Sequence, residues 1–159
     1  MFGWGNEGRE FDRNRLDMLL PIISSVVGGE IEKPTSLPDF DKVEIHPPRI
    51  ECPPTLASIC TSSKYERLLH AYGKSYTDIV HCFRGDFSNC PDLVCFPEHE
   101  QQIIELFKFC EEFSIAIMVY GGGTSVVGGV EHPPQQDSRW KGCISLDMSK
   151  FCKIKKATS

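Results

Sequence analysis

The run Gly121-Gly122-Gly123-Thr124-Ser125-Val126-Val127-Gly128-Gly129 is the part of this sequence best suited to chemistry, and it follows directly on an apolar stretch that ends in Val119-Tyr120. Glycines without a Cβ let successive N–H groups turn toward one point and let a bulky anion approach the backbone, so the loop reads as a phosphate nest that needs no lysine. Thr124 and Ser125 add hydroxyl donors at its rim. A P-loop would require Gly-Lys-Ser/Thr, and no lysine lies between Lys108 and Lys141. A Rossmann fingerprint starting at Gly121 would require glycine where Val126 stands. Taken alone, the loop leaves one competing structural reading, a glycine-rich turn without a ligand.

Other reactive side chains are less pointed. His70, His81 and His99 lie near the interesting segments and read as partly exposed polar residues rather than bases. Asp92 and Asp147 fall at strand ends, where turn or capping duty is expected. Lys74 is a weak candidate for a phosphate contact. The eight cysteines contain no Cys-x-x-Cys pair, so zinc is not expected, and they read as reduced, mostly buried thiols. Arg84-Gly85-Asp86 matches an adhesion tripeptide that recurs by chance and is read as a turn. No catalytic residue and no metal ligand is assigned.

The elements that must hold the loop can be read from periodicity. Leu93-Val94-Cys95-Phe96 predicts a strand and Glu98 to Phe113 a helix, with Ile103, Leu106, Phe107, Cys110 and Phe113 on one face. Ile115 to Tyr120 predicts a second strand leading into the glycines, and Cys143 to Leu146 a third after a polar stretch. Strand, helix, strand favours a parallel strand pair with the helix packed on one side. Ahead of this unit, Ser63 to Phe83 carries short helical patterns broken at Gly73. Residues 12 to 27 predict an amphipathic helix that Pro21 should kink or restart, stopped by Gly28-Gly29. The proline-rich text from Glu32 to Pro54 reads as an extended connector. The expected division is a helix and connector over 1–62 and a domain over 63–159 that ends like a fragment.

Composition sets outer bounds. With 40% hydrophobic and 25% charged residues in 159, the chain suits one globular domain. A formal charge of −5 without a basic stripe argues against nucleic acid. Lysines 150, 153, 155 and 156 form a basic tail read as solvated. Without a signal-like start or a long apolar run, an intracellular protein is expected.

Three segments, Arg67 to Asp78, Pro91 to Pro97 and Tyr120 to Glu131, together with the opening Gly3-Trp4-Gly5, resemble in the same order the FAD-binding oxidase/transferase family that includes the alkyldihydroxyacetonephosphate synthases. The resemblance implies an α+β fold, the first part of a vanillyl-alcohol-oxidase-type (PCMH-type) FAD-binding domain, here preceded by a helical and proline-rich segment. It implies FAD as cofactor, with Val119, Tyr120, Gly121, Gly122, Gly123, Thr124 and Ser125 as its first contact, around the pyrophosphate. It further implies acyl-dihydroxyacetone phosphate and a fatty alcohol as substrates of the full-length enzyme, in ether-lipid synthesis. Peripheral membrane association, a homodimer and a peroxisomal location belong to the same inference; without a targeting signal in view, the alternative location is cytoplasmic. The family's acid/base tyrosine, arginine and histidine cluster fall beyond residue 159. An FAD-linked D-lactate-type dehydrogenase and a non-catalytic fragment without flavin are the two alternatives.

Overall fold

A computed structural model describes residues 13–29 and 38–153. The first helix, α1, spans Arg13–Val27 with Pro21 inside it, so of the kink or restart that the sequence predicted there is no restart. Gly28, at φ +73°, ends it in a left-handed turn whose N–H returns to the Ser24 carbonyl. Its apolar side chains Met18, Ile22, Val26 and Val27 are exposed.

A short 3₁₀ turn over Pro54–Leu56 leads to β1 (Cys60–Thr61), α2 (Lys64–Leu69), α3 (Tyr76–Arg84), β2 (Leu93–Cys95), α4 (Glu100–Phe113), β3 (Ile115–Tyr120) and β4 (Gly142–Asp147). The result is the α+β architecture expected, a four-stranded mixed sheet in the order β1-β2-β4-β3. β2 and β3 both run parallel to β4, and β1 runs antiparallel to β2.

The strand–helix–strand unit is present, but β2 and β3 do not pair as expected; β4 lies between them. The reason is burial. All six residues of β4 are buried, whereas β3 has only its first two buried, so β4 suits the centre and β3 the edge. Leu106 and Cys110 of α4 pack against Leu93, Ile115, Ile144 and Leu146, and this core also takes in Leu56 and Ile59 from the segment ahead of α2. Phe107 and Phe113, expected on one face of α4 with Leu106 and Cys110, are 48% and 42% exposed.

Local sequence explains the helix ends. Ser75 and Asp78 form a reciprocal capping box at the start of α3. Gln102 Oε1 accepts the N–H groups of Glu98 and His99 at the start of α4. Arg84-Gly85-Asp86 is a structural turn: Gly85 is the left-handed cap of α3, and the Asp86 carboxylate meets His81 Nδ1 at 2.9 Å.

The proline-rich connector is fastened by ionic chemistry. Asp92, fully buried, accepts from Arg49 N–H (2.9 Å), Nε (3.1 Å) and a terminal guanidinium nitrogen (2.7 Å), and from the Cys143 N–H at 2.7 Å. Burial works to raise this carboxyl, but the Arg49 and Cys143 hydrogen bonds outweigh it and hold it below the ordinary range. Asp92 thus ties connector to sheet rather than only ending a strand.

The cysteines depart from expectation at one place. Cys60 and Cys95 sit directly opposite in the β1–β2 register, with Cα atoms 4.2 Å apart, and form a disulfide. Strand pairing, not sequence spacing, brings them together. Cys82, Cys90, Cys110 and Cys143 are buried thiols as expected, and burial pushes Cys82, Cys110 and Cys143 up to about 12.

Candidate functional site

The glycine loop leaves the C-terminal end of β3 beside the end of β4, where Met148 N–H donates to the Tyr120 carbonyl at 2.9 Å. Gly121, Gly122 and Thr124 are exposed, while Gly123 is buried. Among the described residues no protein acceptor engages the N–H groups of Gly121, Gly122, Gly123 or Thr124. Nothing in the protein lies within 4 Å of where a Gly121 Cβ would be, so the backbone is open to close approach. Gly123 has φ +62°, and a Cβ there would run into the Tyr120 phenol; only glycine suits it.

Ser125 does something its sequence position does not suggest. Its hydroxyl oxygen accepts from Gly129 N–H at 2.8 Å and more distantly from Val127 N–H at 3.4 Å, closing the second half of the loop on itself. The hydroxyl proton is still available to donate outward.

The loop rests on the segment from Leu69 to Lys74, between α2 and α3. Tyr120 donates its hydroxyl to the Leu69 carbonyl at 3.3 Å, and Lys74 N–H donates to the Ser125 carbonyl at 2.7 Å. Gly73 abuts the loop so closely that a Cβ would stand 2.6 Å from the Ser125 carbonyl oxygen. Lys74 therefore meets the loop through its backbone.

His70 is buried, not partly exposed as its sequence context suggested, because α2 lays it against the sheet. Its Nδ1 lies 2.8 Å from the Glu66 carbonyl and its Nε2 2.8 Å from Asp147 Oδ2. Both neighbours offer acceptor oxygens, so the ring is held from both of its nitrogens. Asp147 also accepts Ser149 N–H at 2.6 Å. Burial tends to raise this carboxyl, but the hydrogen bonds from Ser149 and His70 prevail and keep it low. The His70 ring packs on Tyr120 with centroids 4.4 Å apart. Burial, and then the Asp147 carboxylate, push the Tyr120 phenol up, so it stays protonated and able to donate. Glu66, His70, Lys74, Phe96, Tyr120 and Gly122 line a pocket of about 310 Å³ here.

His132 lies just behind, donating Nε2–H to the His70 carbonyl at 3.1 Å. Its Nδ1 has no partner among the described residues, and burial brings the ring down to about 4, so it is neutral. A wider groove of about 900 Å³ runs along the outer edge of β3, between α4 and the stretch around His132 and Trp140. His99 is an exposed residue before α4 and takes no part.

A family model described as an FAD binding domain matches residues 91–158. Residues 91–158 are thus similar to an FAD binding domain. FAD is the cofactor of such domains, and the matched stretch includes β2, α4, β3, the glycine loop and β4. Over 87 residues the chain is 34% identical to the alkyldihydroxyacetonephosphate synthase of Trypanosoma brucei brucei, covering 55% of this chain and 14% of the synthase. It is 36% identical over 67 residues to the mitochondrial D-lactate dehydrogenase (cytochrome) of Arabidopsis thaliana, covering 42% of this chain and 11% of that protein. A solved alkyldihydroxyacetonephosphate synthase superposes with a TM-score of 0.64 at 23% identity, over 77% of this chain and 23% of its own, which establishes the fold. The chain thus spans about one seventh of the length of the synthase relative.

The candidate contacts Val119 to Ser125 fall together at one end of the FAD domain's sheet. The sequence missed their support: His70, Asp147, the Lys74 N–H and His132. Gly73 was the available signal, since a glycine between two helical patterns can mark close backbone approach as well as a break.

Proposed function

We propose that this chain is the FAD-gripping part of an alkyldihydroxyacetonephosphate synthase-like enzyme, and that Val119, Tyr120, Gly121, Gly122, Gly123, Thr124 and Ser125 receive the pyrophosphate. The observation that carries this is the loop itself: backbone donors without protein acceptors, at an exposed turn whose shape is fixed by Tyr120, Lys74 and Ser125. The fit to a dianionic pyrophosphate is chemical, because fixed N–H dipoles stabilise negative charge without a cation. Bound FAD would supply an electron-accepting isoalloxazine; the residues of this chain supply binding and orientation. In the full-length enzyme the substrates would be acyl-dihydroxyacetone phosphate and a fatty alcohol, joined into an ether lipid. The 36% identity to a D-lactate dehydrogenase supports a second reading, an FAD-linked 2-hydroxy-acid dehydrogenase.

The test is flavin retention. The purified chain is incubated with excess FAD, desalted, and its visible spectrum recorded, alongside Gly122→Val and Gly123→Val variants. Retained, band-shifted flavin in the parent and its loss in both variants is the expected result. Retention that survives both substitutions would remove the loop from the site, and no retention by the parent would make this chain a piece that holds no flavin alone. Assay of the full-length enzyme with acyl-dihydroxyacetone phosphate plus fatty alcohol, against D-lactate plus an electron acceptor, separates the two activities.

A further inference from the structure

The glycine loop is largely exposed, yet it is tied down at both ends by one short segment, through the Tyr120 side chain at its entry and the Ser125 backbone at its exit. The Leu69 carbonyl takes the Tyr120 hydroxyl at the loop's entry, and Lys74 N–H takes the Ser125 carbonyl at its exit. Between these two ties sits His70, whose ring is clamped at 2.8 Å on both nitrogens, one partner in its own helix and the other, Asp147, at the end of the central strand. The same ring packs on Tyr120, whose phenol fills the space beneath Gly123.

We propose that the His70–Asp147 pair is a positioning device: it locks Leu69–Lys74 to the sheet, and that segment moulds the 121–125 loop into its phosphate-receiving shape. His70 touches no substrate or cofactor in this role; it acts through Tyr120 and the backbone of its own segment. The proposal rests on the loop being the pyrophosphate site. It adds that the site's shape depends on a pair buried beneath it. A second consequence concerns residue type. What the position requires is a side chain that reaches acceptors in two directions, so arginine, with its fork of donors, should serve there better than glutamine, whose single amide end cannot reach both.

The test uses the whole chain and two independent readouts, amide exchange by NMR without flavin and FAD titration. Lys74 and Gly129 report the loop, because their N–H groups are bonded to Ser125, while Ile144 and Leu146 report the core. His70→Gln and Asp147→Asn should speed exchange at Lys74 and Gly129 by about tenfold or more and leave Ile144 and Leu146 much less changed. FAD binding should weaken on a similar scale, about tenfold, as for supporting residues behind other bound groups. Tyr120→Phe, which keeps the ring and removes one hydroxyl, should give a smaller effect in the same direction without endangering the fold. His70→Arg should recover both readouts relative to His70→Gln. Unchanged exchange at Lys74 and Gly129, or equal acceleration at all four sites, would overturn the proposal, as would failure of arginine to outperform glutamine. If the parent chain holds no FAD, the exchange pattern still decides whether the pair moulds the loop, so this failure is distinct from failure of the flavin reading.

Discussion

Acidification from pH 7 toward pH 4 should destabilise the domain through His132. Burial brings this ring from its ordinary 6.5 down to about 4, against the small upward pull of its hydrogen bond to the His70 carbonyl. Above pH 6.5 the ring is neutral in both folded and unfolded chains and contributes no pH dependence. Below 6.5 the unfolded chain binds a proton that the folded one refuses, so stability falls with pH; below about 4 the folded ring is protonated too, and its contribution levels off. The slope is about 1.4 kcal/mol per pH unit, and over this window the loss reaches about 3 kcal/mol. That is a large share of the roughly 5–15 kcal/mol that holds a typical domain together. Urea unfolding at several pH values between 7 and 4.5 measures it, with His132→Gln as reference because the amide can still donate to the His70 carbonyl and does not titrate. The difference between parent and variant should shrink steadily as pH falls, other histidines cancelling in the comparison. Parallel pH profiles for the two proteins would refute the argument.

Two further outcomes follow from the ionic and covalent fastenings. Asp92→Asn leaves the Arg49 guanidinium without its carboxylate; breaking one side of a buried pair costs about 3–5 kcal/mol, to be seen as a lowered urea midpoint, and Arg49→Met should recover part of it in the double variant. The disulfide closes a sequence separation of 35, worth roughly 3–4 kcal/mol by chain entropy; thiol titration in denaturant should find six free thiols before reduction and eight after, and Cys60→Ser should lower the melting temperature.

What the sequence disclosed and what it hid divide along distance in the chain. The glycine loop, the β3 strand leading into it and α4 were legible because each is written in one continuous stretch: apolar positions spaced three and four apart in α4, an unbroken apolar run in β3, then residues that only a turn or nest tolerates. The pairing of β4 between β2 and β3 was not, since periodicity assigns strands but carries no neighbour list. The same limit hid the supports of the site. His70 and Asp147 are 77 positions apart, Arg49 and Asp92 are 43 apart, and Cys60 and Cys95 are 35 apart. Alone, the charged partners look like ordinary surface or turn residues and the two cysteines like buried thiols. Pro21 is a different case: local reasoning expected a kink or a restart, and the helix continues through the proline without restarting, at the cost of one missing backbone donor.

The strand order also bears on how the domain comes into being. β4 is the last of the described strands and lies between β2 and β3, so a polypeptide emerging from the ribosome presents β2, α4 and β3 with an unfilled slot between the two strands. Until Gly142–Asp147 arrives, both slot-facing strands are unpaired on that side and the apolar face of α4 has only half its floor. Such late, non-local closure is slow relative to helix formation and leaves edges that invite association with other chains. The residue that completes the central strand, Asp147, is also the one that meets His70. With the proposed role of the His70–Asp147 pair, closure of the sheet and organisation of the glycine loop would come at the same stage, once Gly142–Asp147 has taken its place between β2 and β3.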